Sequence, residues 1–315
     1  MHNIPAEFET AKFSNIQRIQ AEQIAEFDFL EPALICGVPT FHRLEPSRVV
    51  EQLLEDFGDC QVPLCDGTTC KLDDWYNSAN RGYIKDWHIN ETAFLKSRNP
   101  VFSTPPFFRD WLSKFHSKYP NIGKLDFMFL YWGDKGTFTG YHEDVVGTFS
   151  WSLNIRGSKK WRFYVESLAG PVVIETIQYP GEMVFVPSGC YHTVFNLEND
   201  TISINQNWFN ERNIDQVVKK VVSDYKKLSD DLDGFGVSFP TEYERIKQLD
   251  LLVENNNCLN IPILMDIFGF VRENSVLSGF STERRIKASL EVMKDFLLKS
   301  DKTPGVPSQR NSSNG

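Results

Sequence analysis

Two histidines and one aspartate carry the most specific chemistry in this chain. His142 and Asp144 stand two residues apart in the run Gly136-Thr137-Phe138-Thr139-Gly140-Tyr141-His142-Glu143-Asp144, whose aromatic and β-branched residues read as a strand. Alternate strand residues share a face, so the imidazole and the carboxylate can converge on one ion. A third donor, His192, follows the Pro187-Ser188-Gly189 turn that ends the apolar run Met183-Val184-Phe185-Val186. Two imidazoles and one carboxylate on one face of a metal leave the opposite positions open. Non-haem Fe(II) centres that take up a cosubstrate and O2 need that set. An H-x-D pair alone is usually surface polarity. Here, however, the chain has only 6 histidines, and two of them fall in this strand-rich stretch.

Such a triad must be held by a rigid sheet, and the chain has the texture of one between residues 119 and 212. Seven short runs rich in Val, Ile, Phe, Tyr and Trp alternate there with turn residues: FMFLYW, TFSWSLNI, KKWRFYV, PVVIETI, EMVFVPS, YHTVFNL and TISINQNWF. Close turn signals without intervening helical periods predict an antiparallel sandwich or barrel. Residues 1–118 read as a mixed segment dominated by helices and loops that packs on this core. One helix is expected after Pro46-Ser47 and another opening at Pro105-Pro106, with Phe108, Trp111, Leu112 and Phe115 at helical spacing. From 213 to 298 helical spacing returns, in the stripe Ile214, Val217, Val218, Val221, Val222, Tyr225 and again in Ile286, Leu290, Met293, Leu297. Residues 299–315 lack periodicity and are expected to form a disordered tail. The fold class expected is mainly β with flanking α-helices.

Composition narrows the partners. The formal net charge is −9, from 33 basic and 42 acidic residues, which disfavours a phosphate backbone and suits a basic peptide or protein. A nucleic-acid partner is therefore not expected. No signal-like N-terminal segment or apolar run of membrane-spanning length occurs, so no membrane partner is expected and the compartment is read as the cytoplasm, with the nucleus open. The 6 cysteines are then free thiols. Cys60, Cys65 and Cys70 repeat every five residues, wider than ordinary zinc-ligand pairs, and no fourth ligand lies near. Nothing in the pattern speaks to oligomeric state.

The frame around His192 (Gly181, Pro187, Gly189, His192, Asn196) resembles the second cupin motif, and Gly136 to His142 resembles the start of the first. With Gly157-Ser158-Lys159-Lys160-Trp161 between them, the pattern resembles the JmjC family of cupin oxygenases. The blocks Tyr83-Ile84-Lys85-Asp86-Trp87-His88, Phe149-Ser150-Trp151-Ser152 and Thr201 to Trp208 resemble, within that family, the lysyl hydroxylases of the translation-termination factor. The resemblance covers roughly residues 80–210 and implies a double-stranded β-helix (cupin or jelly roll of the JmjC type) with Fe(2+) held by His142, Asp144 and His192. It also implies 2-oxoglutarate and O2 as cosubstrates. Lys159 matches the family's cation for the distal carboxylate of 2-oxoglutarate, Thr139 and Tyr83 its hydroxyl partners, and Asn207 an amide near the cosubstrate. A dianion in an apolar barrel does need a fixed cation and hydroxyl donors. Some relatives carry an asparagine where this chain has Ser152, with Asn154 two residues on.

The reaction so implied couples oxidative decarboxylation of 2-oxoglutarate to oxidation of a substrate C–H bond. Hydroxylation of a lysine-bearing loop of the termination factor is the outcome the resemblance favours. Demethylation of N-methyl-lysine uses the same centre, although many chromatin demethylases carry H-x-E in place of H-x-D. A non-catalytic cupin is a third reading, because fold alone does not imply turnover. A transfer-RNA hydroxylase sits poorly with the acidic charge.

Overall fold

The structure, a computed structural model, describes residues 3–274, 277 and 280–300. Residues 301–315, most of the expected tail, lie outside the described residues. The chain opens with β1 (Lys12–Asn15), β2 (Gln17–Gln20) and β3 (Ala33–Cys36), followed by α1 (Val49–Phe57). Next come the hairpin β4 (Gln61–Pro63) and β5 (Thr69–Lys71), α2 (Leu72–Tyr76), β6 (Ile84–Trp87), α3 (Ile89–Leu95) and α4 (Trp111–Lys118). The centre is built from β7 (Met128–Gly133), β8 (Phe138–His142), β9 (Phe149–Arg156), β10 (Lys159–Ser167), β11 (Gly170–Gln178), β12 (Met183–Val186), β13 (Tyr191–Asn196) and β14 (Thr201–Trp208). Helices α5 (Ile214–Gly234), α6 (Glu242–Asn257), α7 (Ile261–Glu273) and α8 (Phe280–Ser300) follow.

The eight central strands form two facing antiparallel sheets, ordered β11-β10-β13-β8 and β12-β9-β14-β7. Consecutive strands mostly swap sheets, which is the double-stranded β-helix expected from the motif blocks. Period-two alternation decides what each face does. On β12, Met183 and Phe185 join the outer core with Leu130, Trp132, Ile202, Ile204 and Trp208, whereas Val184 and Val186 join Trp161, Phe163 and Val194 between the sheets. On β14 the apolar residues face out and Ser203, Asn205 and Asn207 face in. One barrel end is thus filled with hydrocarbon and the other is polar.

The N-terminal segment does more than pack on this core. Strands β1 and β3 extend the two sheets at β11 and β12, β2 pairs with β3, and β6 pairs with β7. Each of these strands is four residues long, too short for a period-two signal. Helix α4 starts later than the proline pair suggests. The buried Asp110 caps it by accepting from the backbone N–H groups of Leu112 and Ser113, and Phe108 lies in the preceding turn. Burial raises the Asp110 carboxyl to about 6. Gln206 Nε2 of β14 donates to Asp110 (2.6 Å) and Ser113 (2.7 Å), fastening the helix to the barrel. Beyond the barrel, the expected stripe on α5 is buried in full, in a second core shared with α4, α6, α7 and α8. No helix of the described residues is long and apolar enough to cross a membrane.

Candidate metal centre and cosubstrate pocket

His142 ends β8 and His192 lies second in β13. The two strands pair antiparallel with these residues directly opposite, and the imidazole centroids are 4.2 Å apart. Asp144 stands just past the end of β8, in backbone that is still extended (φ −67°, ψ 150°), so the two-residue spacing keeps its side chain on the same side. One donor atom from each of His142, Asp144 and His192 lies within 4.8 Å of the others. The tautomers are set locally. His142 Nδ1 is 2.8 Å from the Gly140 carbonyl and His192 Nδ1 is 2.9 Å from that of Cys190. A carbonyl can only accept, so each Nδ1 carries the proton and each Nε2 presents a lone pair. Burial, and then the neighbouring His142, lowers the His192 pKa to about 4, which keeps that ring neutral. Trp161 stacks at 5.7 Å and 24° on His192, and the Ser150 hydroxyl donates to Asp144 Oδ2 at 2.6 Å. This donor set fits a divalent metal, with each ligand aimed by a partner of its own.

Deeper in the same pocket lies Lys159, only 1% exposed. Its ammonium donates to Ser203 Oγ at 2.5 Å and stands 5.8 Å from the centre of the Tyr131 ring. No carboxylate pairs with it among the described residues, and burial lowers its pKa to about 7. Its neighbour Lys160 points the other way and pairs with Glu175 at 2.9 Å. An ammonium this deep without an anion is costly, and an anionic ligand would relieve it. Tyr83, buried and on the approach to β6, lines the pocket. Thr139 of β8 lines it too. Asn207, also on the wall, donates to Thr148 Oγ1 at 3.0 Å.

All the residues singled out from sequence therefore meet in one cavity, and the structure adds others. Asn205 and Ser203 could have been found from the i, i+2 alternation with Asn207 on β14. Tyr131 carries the same signal on β7. Lys85 lines the pocket through a bulge that no local pattern announces. Ser152 also lines it, with a buried hydroxyl that has no partner among the described residues, while Asn154 is turned away to donate to the Gly157 carbonyl at 2.6 Å. Asn154 therefore does not stand in for the asparagine of those relatives. The five-residue cysteine repeat falls around the β4–β5 hairpin, and no three-ligand group among the described residues includes it.

A family model described as JmjC domain, hydroxylase, matches residues 166–208, a stretch that contains His192. The chain is 33% identical over 196 residues to the 2-oxoglutarate and iron-dependent oxygenase JMJD4 of Mus musculus, covering 52% of this chain and 45% of that relative. Its human counterpart is 36% identical over 171 residues, covering 44% and 39%. Arginine-specific demethylase JMJ20 of Arabidopsis thaliana is 33% identical over 221 residues, covering 56% and 46%. The chain spans less than half the length of these relatives. The JmjC resemblance read from the motif blocks is borne out.

Proposed function

We propose that this chain, with its JmjC-type barrel and complete His-Asp-His set, is an iron(II)- and 2-oxoglutarate-dependent oxygenase that hydroxylates a lysine side chain of a protein. The observation that carries the reading is the pairing of two unmet demands in one cavity. Three aimed metal donors lie at its mouth, and a buried, unpaired ammonium lies at its floor. A short dicarboxylate with a chelating end answers both demands. When bound, the iron and 2-oxoglutarate supply the oxygen activation, coupled to decarboxylation of the keto acid.

The chain's own part is binding and placement. His142 and His192 give Nε2 because Gly140 and Cys190 hold their Nδ1 protons, and Ser150 fixes one oxygen of Asp144 so that the other can turn to the metal. Lys159 takes the distal carboxylate, with Tyr83 and Thr139 as hydroxyl donors beside it. Trp161 and Val194 keep the inner wall apolar. Among targets, we favour a lysine-bearing loop of the translation-termination factor, on the strength of the motif blocks and the acidic net charge. The compartment we infer is the cytoplasm or nucleus, where free cysteines are at home. A second reading, removal of an N-methyl group, draws on the likeness to the arginine-specific demethylase.

The test is mass spectrometry of the termination factor incubated with the iron-loaded protein, 2-oxoglutarate and air. Gain of one oxygen on a lysine, with succinate formed in step, is the expected result. Release of formaldehyde from a methylated peptide, with no oxygen gained by the factor, would replace hydroxylation by demethylation. Absence of succinate with every substrate would remove the oxygenase reading.

A further inference from the structure

The block Tyr83-Ile84-Lys85-Asp86-Trp87-His88 gives Tyr83 to the pocket, yet three more of its side chains gather on the rim. The register of β6 against β7 shifts between Ile84 and Trp87, and within that bulge Asp86 adopts φ 58°. A left-handed backbone costs every residue with a Cβ, least for Asn and Asp, and glycine would serve if only the bend mattered. Here the strained position carries a carboxylate. Its Oδ1 accepts from the Tyr131 hydroxyl at 2.6 Å and its Oδ2 from Lys85 at 3.2 Å. Tyr131 and Lys85 both line the pocket, and the Asp86 side chain is 52% exposed. A carboxylate has about four acceptor positions, so roughly half of its capacity is left for something arriving from solvent.

From Asp86 outward the rim is an aromatic strip. The rings of Tyr131 and Phe129 are 6.4 Å apart, and those of Phe129 and His88 are 5.0 Å apart. Its far end is acidic as well. Asp126 Oδ2 lies 3.5 Å from His88 Nδ1, and Glu91 belongs to the same cluster. Three carboxylates thus face one ammonium and one imidazole along a wall that would suit an aliphatic stem.

We propose that Asp86 is the specificity residue that receives the cationic end of a lysine or arginine side chain, which displaces Lys85 from it while the stem lies on Tyr131 and Phe129. The inference rests on the reading of this chain as an oxygenase acting on peptides.

The test is a binding measurement on the full chain loaded with zinc(II) and 2-oxoglutarate, a form that holds the pocket without turnover. Fluorescence anisotropy is read with three labelled nonapeptide pools that share random flanks and carry a central lysine, arginine or norleucine. The intact protein should prefer at least one cationic pool to the norleucine pool, and the stronger of the two names the natural side chain. Asp86→Asn tolerates the same left-handed backbone and still accepts from Tyr131, so only the charge is lost. It should cut the cation-to-norleucine ratio by about tenfold, the scale of one charge-assisted hydrogen bond. Lys85→Met removes the internal competitor and should raise that ratio, which a carboxylate serving only to anchor Lys85 would not do. Equal binding of all pools by the intact protein, no detectable binding of any, or an unchanged ratio in Asp86→Asn would each overturn the assignment. If the iron-loaded intact protein still turns over 2-oxoglutarate in that case, the oxygenase reading stands and this inference alone falls.

Discussion

Replacing Lys159 by methionine should make the protein more stable and less able to hold 2-oxoglutarate, two effects of opposite sign from one buried charge. Burial lowers the Lys159 pKa from the ordinary lysine value of 10.5 to about 7. At about 1.4 kcal/mol per unit, the ceiling on the cost of keeping the ammonium charged in the pocket is about 5 kcal/mol. The unfolded chain holds this proton up to its ordinary pKa and the folded chain releases it near 7. The unfolded state therefore binds more protons between about 7 and 10.5, and stability of the ligand-free protein should rise with pH across that window. Methionine keeps the apolar stem and abolishes both the cost and the pH dependence, so chemical denaturation should show a gain largest below pH 7. Cosubstrate binding moves the other way. A buried carboxylate left without its cation loses about 3–5 kcal/mol, which is a factor of a hundred or more in Kd. In the unaltered protein the arriving carboxylate restores the proton. Calorimetry in buffers of different ionisation enthalpy should then find uptake approaching one proton near pH 8.5 and little near pH 6. Lys160→Ala is the control, since that side chain is partly exposed and paired with Glu175. A methionine variant that is destabilised at every pH, with 2-oxoglutarate affinity unchanged, would refute the reasoning.

Three further perturbations follow from the same geometry. Alanine at His142, Asp144 or His192 should abolish stoichiometric iron binding and succinate formation while the far-ultraviolet circular dichroism stays that of the parent, and retained iron in all three variants would dismiss the assignment. Ser150→Ala removes the hydroxyl that steadies Asp144 Oδ2, so metal affinity measured by competition with a chelator should fall by roughly tenfold to a hundredfold. Arg81 stands over the rings of Trp75 and Tyr76, pairs with Asp134 and Asp200, and has a side chain only 13% exposed. Arg81→Ala should therefore cost about 3 kcal/mol in urea denaturation, and a loss below about 1 kcal/mol would show the bridge to be superficial.

The parts of this protein legible in its sequence are those governed by neighbours along the chain. Strand runs, the α5 stripe and the two-residue spacing of His142 and Asp144 are local periodicities, and a backbone of fixed geometry turns each into a face. Motif resemblance distinguishes Lys159 from Lys160, and the strand's alternation sends one inward and the other to Glu175. What the tertiary structure alone decided depends on chain segments far apart in sequence. His192 meets His142 because β13 pairs with β8, and no property of either segment states that register. The first strands are too short to carry a period, and they become strands because the barrel edges offer unpaired backbone groups. Asp86 reaches the rim only because its strand bulges against β7. The physical division is between covalent geometry, which repeats with every residue and can be read in order, and pairing across the sheets. Pairing is selected by the burial and hydrogen bonding of the whole chain at once, so it shows only when the chain is folded.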